Sequence, residues 1–408
     1  MENKVFSLEN VKSYSWRKIL SGTFLIAGTT IGAGMLGIPL ATAQIGFLPA
    51  LAVTVLVWAF MLCTGLLFLE VILAMPSGNN ILSLSGRFLG SKGRLVSGGM
   101  FLFLYYCLMV AYFAAGAPLF ASALNNLLGL GISGWSSFAV FALLFGGIVF
   151  LGAKVIDRAN LLLTAAMVIS YLLLVGGGSS EVQLEKLQHA NWPALFVALP
   201  VLFSAFGYHN VLPSLSTYLQ KDRKALRASI FLGTTIPLAV YLVWQWLVIG
   251  SVPQEAISAT LSRGEPVTQA LESVTGNPWI FLIGQYFAFF ALVTSLLGVA
   301  FSLVDFLADG LKVSSSGKWR PFLTVAAFIP PMLCAGWDPT VFDRALGIAG
   351  GLGEAFLNGL LPVALVWISR YVHQNRAESE LPYGKASLLA LGAFSVFVMF
   401  LEAFLLLK

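Results

Sequence analysis

A chain of 408 residues that is 58% hydrophobic and only 10% charged, with a mean hydropathy of +0.87, cannot clothe itself in a water-soluble surface, because soluble domains carry about 25% charged residues. Lipid is its solvent, and the long uncharged runs suit spanning helices rather than the weakly alternating segments of a membrane barrel. The net charge of +5 comes from short basic clusters between apolar runs, a pattern of topology that gives no reason to expect a nucleic-acid partner.

Residues 1–17 read as a cytoplasmic tail without a cleavage site. Apolar runs of about 20 residues follow at roughly 18–45, 47–74, 96–124, 134–153, 159–178, 193–218, 227–250, 278–307, 321–337, 344–369 and 386–407. The expected architecture is an all-α polytopic membrane protein with eleven transmembrane helices. With the N-terminus inside, all but Lys186, Arg263, Arg344 and Lys408 of the 23 lysines and arginines fall on the cytoplasmic side, as the positive-inside rule asks. The C-terminus then faces outward.

Between runs, 75–95 opens with Met75-Pro76-Ser77-Gly78-Asn79-Asn80 and is expected to hold an amphipathic segment. The long outer loop 251–277, with Glu255, Arg263, Glu265 and Glu272, is expected to form one or two short helices over the entrance. Cys63, Cys107 and Cys334 lie inside apolar runs without metal-ligand spacing and read as buried thiols. No cofactor is expected.

The first span contains Ala27-Gly28-Thr29-Thr30-Ile31-Gly32-Ala33-Gly34-Met35-Leu36-Gly37-Ile38-Pro39. Each glycine costs about 1 kcal/mol against alanine in a helix interior, so the cluster favours local unwinding. Lipid-facing backbone cannot unwind, whereas backbone that lines a cavity can. Close packing through Gly32, Gly34 and Gly37 is the competing reading. A second interruption, Pro200 to Pro213 around Ser204-Ala205-Phe206-Gly207-Tyr208-His209-Asn210, comes five spans later. Paired broken helices in corresponding halves point to a transporter binding site. Spans 1–5 (18–178) enter from inside and spans 6–10 (193–369) from outside, as an inverted repeat requires. The last span, 386–407, stands outside the repeat.

At these breaks the sequence resembles the hydroxy and aromatic amino acid permeases, particularly their tyrosine- and tryptophan-specific bacterial members. The matching stretches are Ala27 to Pro39, Leu69-Glu70-Val71, Phe206-Gly207-Tyr208-His209 with Pro213-Ser214, and Thr294-Ser295-Leu296-Leu297-Gly298-Val299 through Asp305-Phe306-Leu307-Ala308-Asp309. The family belongs to the amino acid–polyamine–organocation group, so the resemblance implies a leucine-transporter-type five-plus-five fold in the bacterial inner membrane. It also implies import of an aromatic amino acid by cation symport, with tyrosine first, tryptophan next, then serine or threonine. No obligate protein partner follows from it.

A zwitterion needs partners for both charges. Free N–H groups at Gly32 and Gly34, after Thr29 and Thr30, can hold a carboxylate, and carbonyls near Phe203 and Ser204 can accept from the ammonium. Aromatic walls are sought among Phe206, Tyr208, Tyr106 and Tyr112. His209 is the one histidine within a span, and substrate contact, proton carriage and a plain hydrogen bond to a carbonyl all stand open for it. Glu70 is read as a cap on N–H groups of the unwound sixth span, with proton carriage in ion coupling as the alternative. Glu354 is read either as a titrating group or as a solvated gate residue, and Asp305 and Asp309 as inner-gate partners of Lys or Arg.

For the coupling ion, Ala291-Leu292-Val293-Thr294-Ser295 matches the eighth-span spacing of a sodium site in leucine-type transporters. Carbonyls of Gly28, Ile31 and Ala291 with the two hydroxyls would make an all-oxygen set for a hard cation. The family resemblance implies protons instead, so H+ and Na+ both stand. A channel would need a continuous polar pore, and an enzyme would need a nucleophile, an acid–base pair or a metal cluster within the spans. A membrane receptor would bind without accumulating.

Overall fold

In a computed structural model of the chain, which describes residues 8–75, 80–263, 267–268, 270–271, 278–374, 379–382 and 384–407, the regular elements are helical and no strand occurs among the described residues. They are α1 (Leu8–Thr30), α2 (Gly34–Thr42), α3 (Phe47–Leu73), α4 (Ile81–Leu128), α5 (Trp135–Leu151), α6 (Ala153–Gly178), α7 (Leu199–Ala205), α8 (Leu212–Tyr218), α9 (Arg223–Ser251), α10 (Gln254–Ser262), α11 (Pro278–Leu311), α12 (Arg320–Trp337), α13 (Phe342–Ile348), α14 (Leu361–Trp367) and α15 (Gly384–Leu406). A π-helix, Ala349–Leu360, joins α13 to α14. Among the described residues, eight helices are long and apolar enough to cross a membrane, and nine when α1 and α2, bent by 57° at the break, form one span. The chain is a multi-pass membrane protein.

Local chemistry explains several boundaries. Asn80 caps α4 in a reciprocal box with Ser83, which satisfies the first free N–H groups of the helix. Gly90, at φ +73°, then kinks the amphipathic start of α4 away from its apolar remainder. In the long loop, α10 is a short helix with buried Ile257 and Thr260. Pro76 to Asn79, Glu265, Glu272, the first seven residues and Lys408 lie outside the described residues.

Hydrogen bonds between loops sort the molecule into two ends. At one, Lys221 Nζ donates to the Met75 carbonyl, Arg320 Nη2 donates to Val149 O at 2.8 Å, and Glu380 takes Arg223 and Arg227. At the other, Lys186 Nζ reaches Ser251 O at 2.6 Å and the Asn191 N–H reaches Ile45 O at 2.8 Å. The first is the basic end. Between the ends, α1 lies along α9 and α6 along α11, while α15 packs on the π-helix.

Glu70 corrects the expectation that it caps the sixth span. Its carboxylate accepts from Arg370 Nε at 2.6 Å and Nη2 at 2.5 Å, and from the Glu380 N–H at 3.0 Å. The bidentate pair joins α3 to the segment after α14, 300 residues away in sequence. A carboxylate so near Arg370 is drawn to that fork rather than to backbone. With side chains 4% and 11% exposed, the pair should behave as a buried one. Glu70→Gln or Arg370→Gln alone should cost about 3 kcal/mol, because each strands a charge, and the double variant should cost less than either. Thermal unfolding in detergent checks this, and additive losses would argue against it.

Candidate substrate and ion site

Both breaks meet at the centre of the bundle. After Thr30 the backbone leaves α1 and turns into α2 at Gly34, and a β-carbon on Gly34 would lie 2.7 Å from the Ala205 Cα at the end of α7. Glycine is needed there because two backbones touch. Opening a helix frees donors and acceptors alike. The N–H groups of Gly32 and Gly34 have no hydrogen-bond partner among the described residues, while that of Ala33 donates to Ser295 Oγ at 3.2 Å.

The freed carbonyls are treated differently. Tyr241, fully buried on α9, points its hydroxyl at Thr30 O (2.7 Å) and Ala205 O (2.9 Å), one carbonyl from each break. Trp244, one turn on, donates from Nε1 to Met35 O at 3.0 Å. Neither residue stands out in the sequence, where each is one aromatic within an apolar run.

The cavity between the breaks has a volume of about 80 Å³ and is walled by Thr29, Thr30, Gly32, Ala33 and Gly34 on one side and by Ser204, Gly207 and Asn210 on another. Tyr105, Leu108 and Tyr112 from α4 and Glu354 and Asn358 from the π-helix close it. It shares Tyr105, Tyr112, Asn210, Ser295 and Val299 with a vestibule of about 580 Å³. That vestibule runs past Ile156 and Asp157, toward the basic end, where Gly152 meets Arg320. Ser204 Oγ is buried without a partner, whereas Thr29 and Thr30 bond back to Leu25 O and Ile26 O.

Four expected substrate contacts lie behind the wall rather than in it. Phe203 packs between Phe60 and Phe394, and Phe206 stands edge-on to Tyr241 with centroids 5.1 Å apart. Tyr208 turns away to donate to Met61 O at 3.0 Å, into space that exists because residue 65 is glycine. His209 is buried with Nε2 3.1 Å from Thr64 Oγ1, and its Nδ1 has no partner among the described residues. In each case α3 or α9 offers apolar or hydrogen-bonding company that the cavity does not. Tyr106 likewise donates to Ala326 O. Asn210, Tyr105 and Asn358 enter the wall unannounced, and the Asn210–Tyr105 bond at 3.3 Å has no local sequence signal.

Of the expected ion ligands, Gly28, Ile31, Thr294 and Ser295 line the vestibule, and Ala291 is buried beside them. The carbonyls of Gly28 and Ile31 accept no hydrogen bond among the described residues, while Thr294 Oγ1 bonds back to Phe290 O and Ala291 O. Glu354 is buried in the central wall, so it is not a solvated outer gate residue. Asp305 and Asp309 line a second pocket with Asn80 and Ser302 and form no ion pair among the described residues.

The model of the tryptophan/tyrosine permease family matches residues 15–402. The chain belongs to that family. It is 33% identical to tyrosine-specific transport system 1 of Haemophilus influenzae, over 90% of each chain. It is 31% identical to a tryptophan-specific transport protein of Pseudomonas aeruginosa, over 86% of each. The solved structure of MhsT in complex with L-phenylalanine superposes with a TM-score of 0.64 at 13% identity, covering 94% of this chain and 98% of that one, which is a likeness of fold. This permease is therefore a transporter rather than an enzyme.

In the permease, Tyr241→Phe keeps the ring and removes the one proton that the two carbonyls share. Unsatisfied buried groups cost about 1–3 kcal/mol, so the variant should unfold at lower temperature in detergent and bind substrate less tightly. Unchanged stability and affinity would show that the hydroxyl holds neither break.

Proposed function

We propose that the permease imports an aromatic amino acid, tyrosine ahead of tryptophan, across the bacterial inner membrane by alternating access and cation symport. The observation that carries this reading is the pair of facing breaks, which leaves Gly32 and Gly34 N–H groups open to one small cavity. Two such donors at the start of α2 suit a carboxylate, aided by the helix dipole. Tyr105, Tyr112 and Phe101 offer ring faces for the side chain, and Asn210 offers a polar group to a phenol.

The proposed frame is eleven spans, counting the 17-residue α5 and the proline-containing α12, arranged as an inverted five-plus-five repeat with α15 outside it. Lys and Arg at the basic end support an inside N-terminus and an outside C-terminus, so the vestibule would face the cytoplasm. Uptake in proteoliposomes should saturate with tyrosine and be inhibited more by phenylalanine or tryptophan than by alanine. Equal inhibition by alanine would end the aromatic reading.

The favoured coupling ion is sodium, held by the Gly28, Ile31 and Ala291 carbonyls with Thr294 and Ser295 hydroxyls. Carbonyls without donors at Gly28 and Ile31, next to a vestibule, support an oxygen set for a hard cation. A proton is the second reading, favoured by the burial of Glu354 in the cavity wall, with His209 as the other candidate carrier. If sodium couples, tyrosine affinity rises with sodium at fixed pH and Thr294→Ala with Ser295→Ala removes that dependence. Affinity that follows pH and ignores sodium would transfer the role to a proton.

A further inference from the structure

The cavity treats the two charges of an amino acid unequally. On the α1–α2 side it offers N–H donors to an anion. For the ammonium, the carbonyls freed by the sixth-span break are neutral acceptors only: Ala205 O is approached by Tyr241, Phe203 O takes the longer branch of the Phe206 N–H at 3.4 Å, and those of Ser204 and Phe206 accept no hydrogen bond among the described residues. What faces Gly207 instead is a carboxyl. A β-carbon on Gly207 would come within 2.5 Å of Glu354 Oε1 and 2.9 Å of Oε2, so the side chain of Glu354 lies directly against the unwound backbone.

Glu354 receives one hydrogen bond, from Asn358 Nδ2, and forms no ion pair among the described residues. A buried carboxylate needs a cation or several donors, and one amide supplies neither. The π-helix sets this geometry. It carries Glu354 and Asn358 into the same cavity wall, with the amide holding one oxygen and leaving the other directed at Gly207. Ser204, whose hydroxyl has no partner among the described residues, lines the same cavity.

Resting on the reading of the cavity as an amino acid site, we infer that Glu354 is the counter-charge of the substrate's α-ammonium, positioned by Asn358 and admitted by Gly207. The ammonium sits between the Glu354 carboxylate and the open backbone near Ser204 and Gly207, with the substrate carboxylate on Gly32 and Gly34. Neutral carbonyls there share the load, but only Glu354 supplies charge. A carboxyl that holds a proton has none to offer an ammonium. Glu354 therefore cannot carry a proton in the same step that carries the amino acid, and the co-transported cation is left to the oxygen set around Thr294 and Ser295.

The experiment compares two ligands on the full chain in detergent: L-tyrosine and 3-(4-hydroxyphenyl)propionate, which has the same ring and carboxylate but no ammonium. Glu354→Gln preserves shape and removes charge, and it should weaken tyrosine binding about 10- to 100-fold, the worth of a charged hydrogen bond. Binding of the propionate should change less than threefold. Glu354→Asp, which withdraws the carboxylate by one methylene, should lose part of the preference for tyrosine and decides the matter if the glutamine variant does not fold. Equal losses for both ligands, or unchanged tyrosine affinity in either folded variant, overturn the inference. Wild-type protein that binds neither ligand overturns the amino acid reading itself, a result distinct from loss of discrimination alone.

Discussion

A backbone carbonyl without a donor is costly inside a bilayer, and the Tyr241 hydroxyl brings its single proton within reach of one carbonyl from each break, which share it. Its two contacts, to Thr30 O and Ala205 O, tie α1 and α7 to a single point on α9. Without such a donor the glycines of the first span would gain conformational freedom with nothing to direct it. Trp244 on Met35 O repeats the device one turn along, fixing the direction in which α2 departs. The lone helix α9 therefore ties together three half-helices, α1, α2 and α7.

The consequence for chemistry lies in what is left over. Some acceptors at the breaks are answered from within, by Tyr241 and by turns such as Val211 to Tyr208, whereas the carbonyls of Gly28, Ile31, Ser204 and Phe206 and the donors of Gly32 and Gly34 have no partner among the described residues. A cavity lined by unanswered N–H groups has a positive lip. A carboxyl set into the opposite wall gives it a negative one. That polarity, more than the number of aromatic rings nearby, is what the proposed amino acid substrate would read.

Much of this was legible in the chain. Glycine clusters and prolines locate both interruptions, because breaks in a lipid-bound helix demand particular residues, and the basic residues sort the loops into two ends. Side-chain direction was less legible. Phe203, Phe206 and Tyr208 lie near the break as expected, but their orientation is decided by Phe60, Phe394, Tyr241 and the space at Gly65, all distant in sequence. Glu70 meets Arg370 across 300 residues. The facing of Glu354 was hidden for a different reason. Over Ala349–Leu360 the helix is π rather than α, so a pattern read at 3.6 residues per turn assigns its faces wrongly.

Ser295 connects the proposed ion and substrate sites. Its hydroxyl lines both the central cavity and the vestibule, and here it accepts from the Ala33 N–H. A cation that enlists Ser295 competes for the oxygen lone pairs that this N–H now uses. Weakening that bond frees a third donor in the stretch between Gly32 and Gly34, where the substrate carboxylate is proposed to bind. The same exchange runs backwards, since a carboxylate that draws on Ala33 leaves Ser295 freer for a cation. Two ligands that each relieve a cost for the other bind cooperatively, by equal factors in both directions. Coupling then needs no long-range path, only one hydroxyl and one amide at the point where α11 touches the broken helix.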